Sequence, residues 1–436
     1  MSVIQQQPTE TSGGAAQKPV VRSAAARMGW LDAIRGVAAL LVAVHHFGLI
    51  QLIPGGKEFG DHFDLGIYAV MVFFLVSGYI IPASLERRGD VRGFWVGRLF
   101  RIYPLLLVVV TAALIILPRK WSAVPAVDLD APVRSTVANL TLLQDLLHVP
   151  NGLGVLWTLS YEMVFYFFVS ALFVAGWHKR SSELSVGFAA AALLLGAAVP
   201  SQMITTDNHS TLHAVMAAAL IMGTALVCIL TGRPAAVRLG AVLLGGLGAV
   251  LLFANSRAMF FESMMILGTM FAGTAIYRAE KGQADKLLTW IACLFVLAAG
   301  FVTGYMWNRG IPAIWKSWTP TWQGWSLPYV AAWVTFGLAM LARHKRFPRV
   351  LTFLGAISYS VYVVHIPVLM GVRWLLPKDA FPAHGIGKFG PAAIFLAAVI
   401  TISYLTYRLV ELPGQNLGRR VAKALQRRTE AAELKV

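Results

Sequence analysis

Long apolar runs, rather than alternation, dominate the pattern along the chain. They fall at 31–53, 66–82, 99–117, 155–176, 184–200, 211–230, 236–254, 259–277, 286–306, 326–341, 350–376 and 390–410. About 20 apolar residues in a helix cross the hydrocarbon core of a bilayer. Only helices and closed barrels satisfy every backbone polar group there. The pattern therefore predicts an all-α protein, a polytopic integral membrane bundle of about 10–12 transmembrane helices. The runs at 184–200 and 326–341 are the short ones.

Composition sharpens this reading. The chain has 436 residues, 57% of them apolar and 13% charged, with a mean hydropathy of +0.67. Soluble domains carry about 25% charged residues, so a soluble enzyme, a disordered chain and a collagen-like chain are excluded. Residues 1–28 are rich in Gln, Ala and Ser, contain Pro8 and Pro19, and lack an apolar core. They read as a disordered cytoplasmic tail and not as a signal peptide. Residues 29–412 form the membrane domain, and 413–436 a basic cytoplasmic tail.

The formal net charge of +17, from 37 Lys and Arg against 20 Asp and Glu, does not make nucleic acid a partner. The basic residues gather in alternate loops: Arg87, Arg88 and Arg92, then Lys179 and Arg180, then Arg233 and Arg238, then Arg343, Lys345, Arg346 and Arg349. Cytoplasmic loops accumulate Lys and Arg. This asymmetry places both termini in the cytoplasm and the protein in the cell membrane. Cys228 and Cys293 both sit inside apolar runs, which is neither a disulfide framework nor a zinc site, and no metal is implied. The segment 307–325 contains Trp307, Trp315, Trp318, Trp322 and Trp325. These read as an interfacial aromatic belt, the alternative being a platform on which an acceptor ring stacks.

Ionisable groups at membrane depth mark functional sites by default. Here they are Arg35, His45, His46, Glu162, His213, Glu262, His365 and Arg373. Eleven helical steps of about 100° bring Arg35 and His46 to within about 20° of one direction, about 16 Å apart along the axis. His45 points about 100° away. Glu162 and His46 each lie about seven residues from the outer ends of their runs, which puts both about 10 Å below the outer surface. Two titratable groups at one depth are a candidate site, or an internal pair that fixes packing. Arg98 and Arg101, three residues apart at the mouth of the third run, can join Arg35 to grip phosphate bidentately. They serve equally as positive-inside anchors. Ser358, Tyr362 and His365 share one helical face, and Pro367 frees the carbonyl of Val363. Such polar stripes mostly serve as interhelical glue.

These residues stand in recognisable strings: WLDAIRGVAALLVAVHHF at 30–47, VFFLVSGYII at 72–81, GRLFRIYPL at 97–105, LWTLSYEMVFYF at 156–167 and LGAISYSVYVVHIPV at 354–368. In order and spacing the set resembles the bacterial transmembrane acyltransferase 3 family, which O-acylates sugars, surface polysaccharides and some secondary metabolites. The resemblance implies a core of about ten helices and acyl-CoA as donor. It carries the family's first-helix arginine and histidine onto Arg35 and His46, its third-helix arginine pair onto Arg98 and Arg101, and its tryptophan-to-glutamate motif onto Trp157 and Glu162. The middle of the chain, about 184–340, aligns poorly. No hydrolase-like domain follows the last helix here, so transfer is expected to be completed by the membrane part or by a partner.

The resulting expectation is an O-acyltransferase that moves an acetyl or short acyl group from acyl-CoA to a hydroxyl of a sugar, cell-envelope glycan, lipid-linked sugar or metabolite. Arg35, Arg98 and Arg101 bind the donor phosphates. Neutral His46 acts as general base, and Glu162 orients that imidazole or the acceptor. Tyr362, Ser77 or a freed backbone N–H serves as oxyanion donor. An acyl-enzyme route would use Ser77 or Ser160. The rival classes are a secondary transporter, which also suits twelve helices with buried charges, and a lipid-linked sugar flippase.

Overall fold

In the computed structural model, the described residues are 29–116, 131–256, 259–309, 318–376 and 386–433. The tail expected over 1–28, residues 117–130 of the long loop, Trp315 and residues 434–436 lie outside them. The described residues form sixteen α-helices: α1 (Gly29–Phe47), α2 (Gly56–His62), α3 (Leu65–Arg88), α4 (Val91–Ile116), α5 (Pro132–Thr141), α6 (Trp157–Val174), α7 (Ser181–Leu195), α8 (Asn208–Thr231), α9 (Pro234–Ala254), α10 (Phe260–Glu280), α11 (Lys286–Trp307), α12 (Trp322–Leu341), α13 (Arg349–Ala356), α14 (Ser358–Leu375), α15 (Gly390–Thr406) and α16 (Leu412–Glu433).

Each of the twelve apolar runs is helical. Ten helices are long and apolar enough to cross a membrane, or eleven if α13 and α14, bent by 68°, are one span. Helix α7 has 15 residues and falls short, whereas α12 reaches back to Trp322 and has 20. The ends follow local chemistry. Asp64 accepts from the backbone N–H of Ile67 and caps α3. Asp207 and Ser210 form a capping box on α8, and Thr321 caps α12. Gly89 and Gly232 close α3 and α8 in the left-handed region, where an L side chain is strained.

Helix α10 is the centre of the bundle, packed against α3, α7 and α11. Helices α8, α9, α11 and α15 turn Leu220, Val227, Val242, Leu288, Leu294 and Leu405 outward, an apolar coat that suits lipid and would be a liability in water. Two close approaches position candidate site residues. A Cβ on Gly36 would stand 2.5 Å from the backbone nitrogen of Gly355, so α1 crosses α13 backbone to backbone beside Arg35. A Cβ on Gly78 would collide with the carbonyl of Met270, and Thr274 Oγ1 donates to the Gly78 carbonyl at 2.8 Å. That contact docks α3 on α10 next to Ser77. Small residues permit such approaches between membrane helices.

Helix α15 continues through a π-helical turn, Tyr407–Glu411, into α16. The segment after the last span is thus helical and lies against α4, where Arg92 Nη2 donates to the carbonyl of Leu425 at 3.1 Å. The tryptophans of 307–325 that are described pack inward more than a belt would. Trp325 is fully buried and donates to the carbonyl of Gly300. Trp307 donates to the carbonyl of Ala192.

Candidate active site

One cavity at membrane depth gathers the expected arginines. Arg35 from α1, Arg98 and Arg101 from α4, Glu162 and Tyr166 from α6, Ser77 from α3, and Ser358, Tyr359 and Tyr362 from α14 line it. It encloses about 820 Å³, its open side included. The spacing of Arg98 and Arg101 puts both on one face of α4. The Arg98 guanidinium lies over the rings of Phe94 and Tyr166, 5.2 and 5.4 Å from their centroids, and donates to Ser84 Oγ at 3.4 Å. Glu162 accepts a hydrogen bond from the Tyr166 hydroxyl. Among the described residues Arg35 and Arg101 have neither a hydrogen-bond nor an ion-pair partner. Three cations therefore line one cavity with Glu162, and the Asp32 and Glu411 carboxylates also act on Arg35 and Arg101.

Close to the arginines, outside the cavity lining, is a carboxylate that sequence reasoning missed. Glu411, 3% exposed, sits in the π-helical turn and accepts from Ser360 Oγ at 2.8 Å and Gln415 Nε2 at 3.0 Å. Beside it the Tyr359 hydroxyl donates to the carbonyl of Ile102 at 2.8 Å, tying α14 to α4. Glu411 directly follows the last apolar run, 390–410, and so does not count among the ionisable groups at membrane depth. A carboxylate adjoining a span and followed by Pro413 was the available signal.

His46 lies beyond this cavity. Its Nδ1 is 2.9 Å from the carbonyl of Val42, so Nδ1 is the protonated nitrogen and Nε2 carries the lone pair. Its ring centroid is 5.1 Å from that of His365 and 5.2 Å from that of His45. His365 repeats the arrangement, with Nδ1 3.1 Å from the carbonyl of Val361. Tyr362 links the histidines to the cavity. Its ring is 6.0 Å from that of His365 and 5.8 Å, edge to face, from that of Phe73, and both Tyr362 and Phe73 line the cavity. His45 instead approaches Asp64, at 3.9 Å.

Glu162 and His46 do not share the cavity. Thr158 meets Tyr362, with hydroxyls 2.6 Å apart. Glu162 is one turn further along α6, and it lines the arginine cavity, whereas neither His46 nor His365 does. Among the described residues no contact joins Glu162 to His46. Residues 142–156 form a buried segment in which Leu142, Leu143, Leu146, Leu147, Leu153 and Leu156 are at most 1% exposed. Helix α6 consequently begins inside the protein rather than at the membrane surface. Leu142 and His148 hold positive φ angles of 58° and 54° there, and such strain is sustained only in an over-determined environment.

The other candidates separate cleanly. Ser77 lines the cavity, whereas Ser160 is fully buried without a hydrogen-bond partner and away from it. The Tyr362 hydroxyl is engaged by the carbonyl of Val155 at 2.7 Å. Glu262 is fully buried and accepts from the backbone N–H of Trp318, whose ring lies 4.3 Å from that of Trp157, tilted by 31°. His213 and Arg373 are exposed near helix ends.

A polytopic helical membrane protein with an arginine-lined cavity is the class defined by these observations. Residues 28–408 match the family model described as an acyltransferase domain, and the chain belongs to this acyltransferase 3 family. Among curated relatives, acyltransferase MdmB of Streptomyces mycarofaciens is 32% identical over 147 residues, covering 32% of this chain and 38% of that protein. A putative O-acetyltransferase of Staphylococcus aureus (strain MSSA476) is 27% identical over 176 residues, covering 37% of this chain and 27% of the relative. The chain thus spans well under half the length of either relative. No solved structure matches.

Proposed function

We propose that this membrane acyltransferase takes its acyl group from acyl-CoA, delivered from the cytoplasmic face, and passes it to an acceptor hydroxyl. The supporting observation is the gathering of Arg35, Arg98 and Arg101 around one cavity. Half-buried guanidiniums that line one cavity are suited to take an anion there. The phosphates of coenzyme A supply several, in a geometry that the planar guanidinium reads bidentately.

In this reading the thioester extends from the arginines past Phe73 and Tyr362 to the His46 level. His46 Nε2 removes the acceptor proton. The acceptor oxygen bonds to the thioester carbonyl carbon, the carbon–sulfur bond breaks, and the thiolate of coenzyme A recovers the proton. Glu162 belongs to the donor site, where its bond to Tyr166 holds the ring on which Arg98 rests. The basic loops at one end of the bundle support a cytoplasmic location for both termini. Acceptors compatible with the reading are sugars, cell-envelope glycans, lipid-linked sugars and hydroxylated metabolites. Purified protein in detergent, given radiolabelled acetyl-CoA and a sugar acceptor, should produce labelled ester. Ester formation from another acyl donor but not from acetyl-CoA would overturn the donor assignment.

A further inference from the structure

The His46 and His365 imidazoles form a pair with an unusual hydrogen-bond balance. Each commits its Nδ1–H to the carbonyl four residues earlier in its own helix. Each therefore presents Nε2 as an acceptor only. The rings are 5.1 Å apart. His365 is fully buried, and its Nε2 has no hydrogen-bond partner among the described residues. Buried polar atoms are nearly always satisfied, and an exception asks for an explanation. Neighbouring groups do not supply the missing donor. The Tyr362 hydroxyl is turned to the carbonyl of Val155 and to Thr158, and His45 faces Asp64. The site provides two adjacent acceptors, so its natural complement is a molecule with two adjacent O–H donors.

We propose that His365 is an acceptor-recognition residue, whose Nε2 takes a hydrogen bond from a second hydroxyl next to the one that His46 deprotonates, so that the site selects vicinal diols over isolated alcohols. This rests on the reading of His46 as the base. Only the first hydroxyl reacts. Its proton passes to His46 and its oxygen to the acyl carbon, while the second hydroxyl keeps its proton and fixes the orientation. A site built to hydrogen-bond a hydroxyl strongly rejects the analogue that lacks it, because the buried partner is then stranded. Packing glue between α1 and α14 would give no such discrimination.

The test compares trans-1,2-cyclohexanediol with its monomethyl ether, which retains the ring and one hydroxyl but lacks the second donor. Binding to the detergent-purified full chain is read by saturation-transfer NMR without any acyl donor, and ester formation is read separately with acetyl-CoA. Wild type should bind the diol at least tenfold more tightly than the ether. His365→Phe should abolish this preference, and His365→Asn, which keeps an acceptor oxygen, should retain part of it. Unaltered acetyl-CoA binding serves as the check on folding of both variants. Equal binding of diol and ether by wild type, as expected if a single water bridges the imidazoles, overturns the proposal without reference to any variant. A preference for the diol without ester formation from acetyl-CoA would leave this proposal standing and count against the donor assignment.

Discussion

Arg35 and Gly355 meet through a single intermediary: Gly36, the residue after the arginine, brings the α1 backbone against the backbone of Gly355 so closely that a Cβ would stand 2.5 Å from its nitrogen. The guanidinium that lines the cavity is therefore set by a backbone crossing rather than by a salt bridge. Replacing Gly36 by Ala forces two main chains apart, and overpacking of this kind costs about 1–3 kcal/mol. A thermal unfolding series in detergent should show Gly36→Ala destabilised and its acetyl-CoA affinity lowered. A variant of wild-type stability and affinity would show that the crossing does not position Arg35.

His46 carries the proton transfer in this account, and His45 does not. A general base contributes about 10²–10⁴-fold. Turnover by His46→Ala should fall by about that factor with donor binding intact, and by much less in His45→Ala, whose ring faces Asp64. Wild-type turnover should also decline as pH falls through the range in which imidazole is protonated, since only the neutral ring accepts a proton. Near-normal turnover by His46→Ala, with chemistry rate-limiting, would remove it from the mechanism.

Glu162 yields an expectation of opposite sign. It lies among the arginines, so its charge opposes an anionic donor, while its hydrogen bond with Tyr166 shapes the site. Glu162→Gln keeps an acceptor oxygen for Tyr166 and removes the charge. Acetyl-CoA should bind this variant about as tightly as wild type or tighter, whereas Glu162→Ala should weaken binding by freeing Tyr166 beneath Arg98. Equal weakening by Gln and Ala would mean that the carboxylate charge itself is needed for donor binding.

Topology is open to direct labelling. Cysteines introduced at positions 344 and 20 in a variant lacking Cys228 and Cys293 should resist a membrane-impermeant thiol reagent in intact cells and react after lysis. Labelling of position 344 from outside would invert the bundle and remove the cytoplasmic route to the arginines.

The fold was legible because apolar length is a strong physical demand: each long run became helical, although the 15-residue α7 is too short to cross and the run at 350–376 is broken by a 68° bend. The register of Arg35 and His46 on one helix follows from periodicity alone. That Glu162 sits with the arginines and apart from His46 was not legible, because helical periodicity fixes register within one helix and not which helices face each other. The pairing of His46 with His365 was hidden for a different reason. It joins helices more than 300 residues apart in the chain, and on its own helix His365 reads as one member of a polar stripe. Trp325 misled for a third reason, since tryptophan suits both the interface and the core, and only its bond to Gly300 separates the two.

The central claim is that Arg35, Arg98 and Arg101 hold the phosphates of an acyl donor, and equilibrium binding of acetyl-CoA against S-acetylpantetheine tests it most directly. The two share the thioester and the pantetheine arm, but S-acetylpantetheine carries no phosphate. Wild type should favour acetyl-CoA at least tenfold, about 1.4 kcal/mol. An Arg35→Ala, Arg101→Ala double variant should lose most of that preference, and the corresponding Lys variants should recover only part of it because they lack the planar fork. Equal affinity of the wild type for the two thioesters would contradict the claim and leave the arginines without a donor to hold.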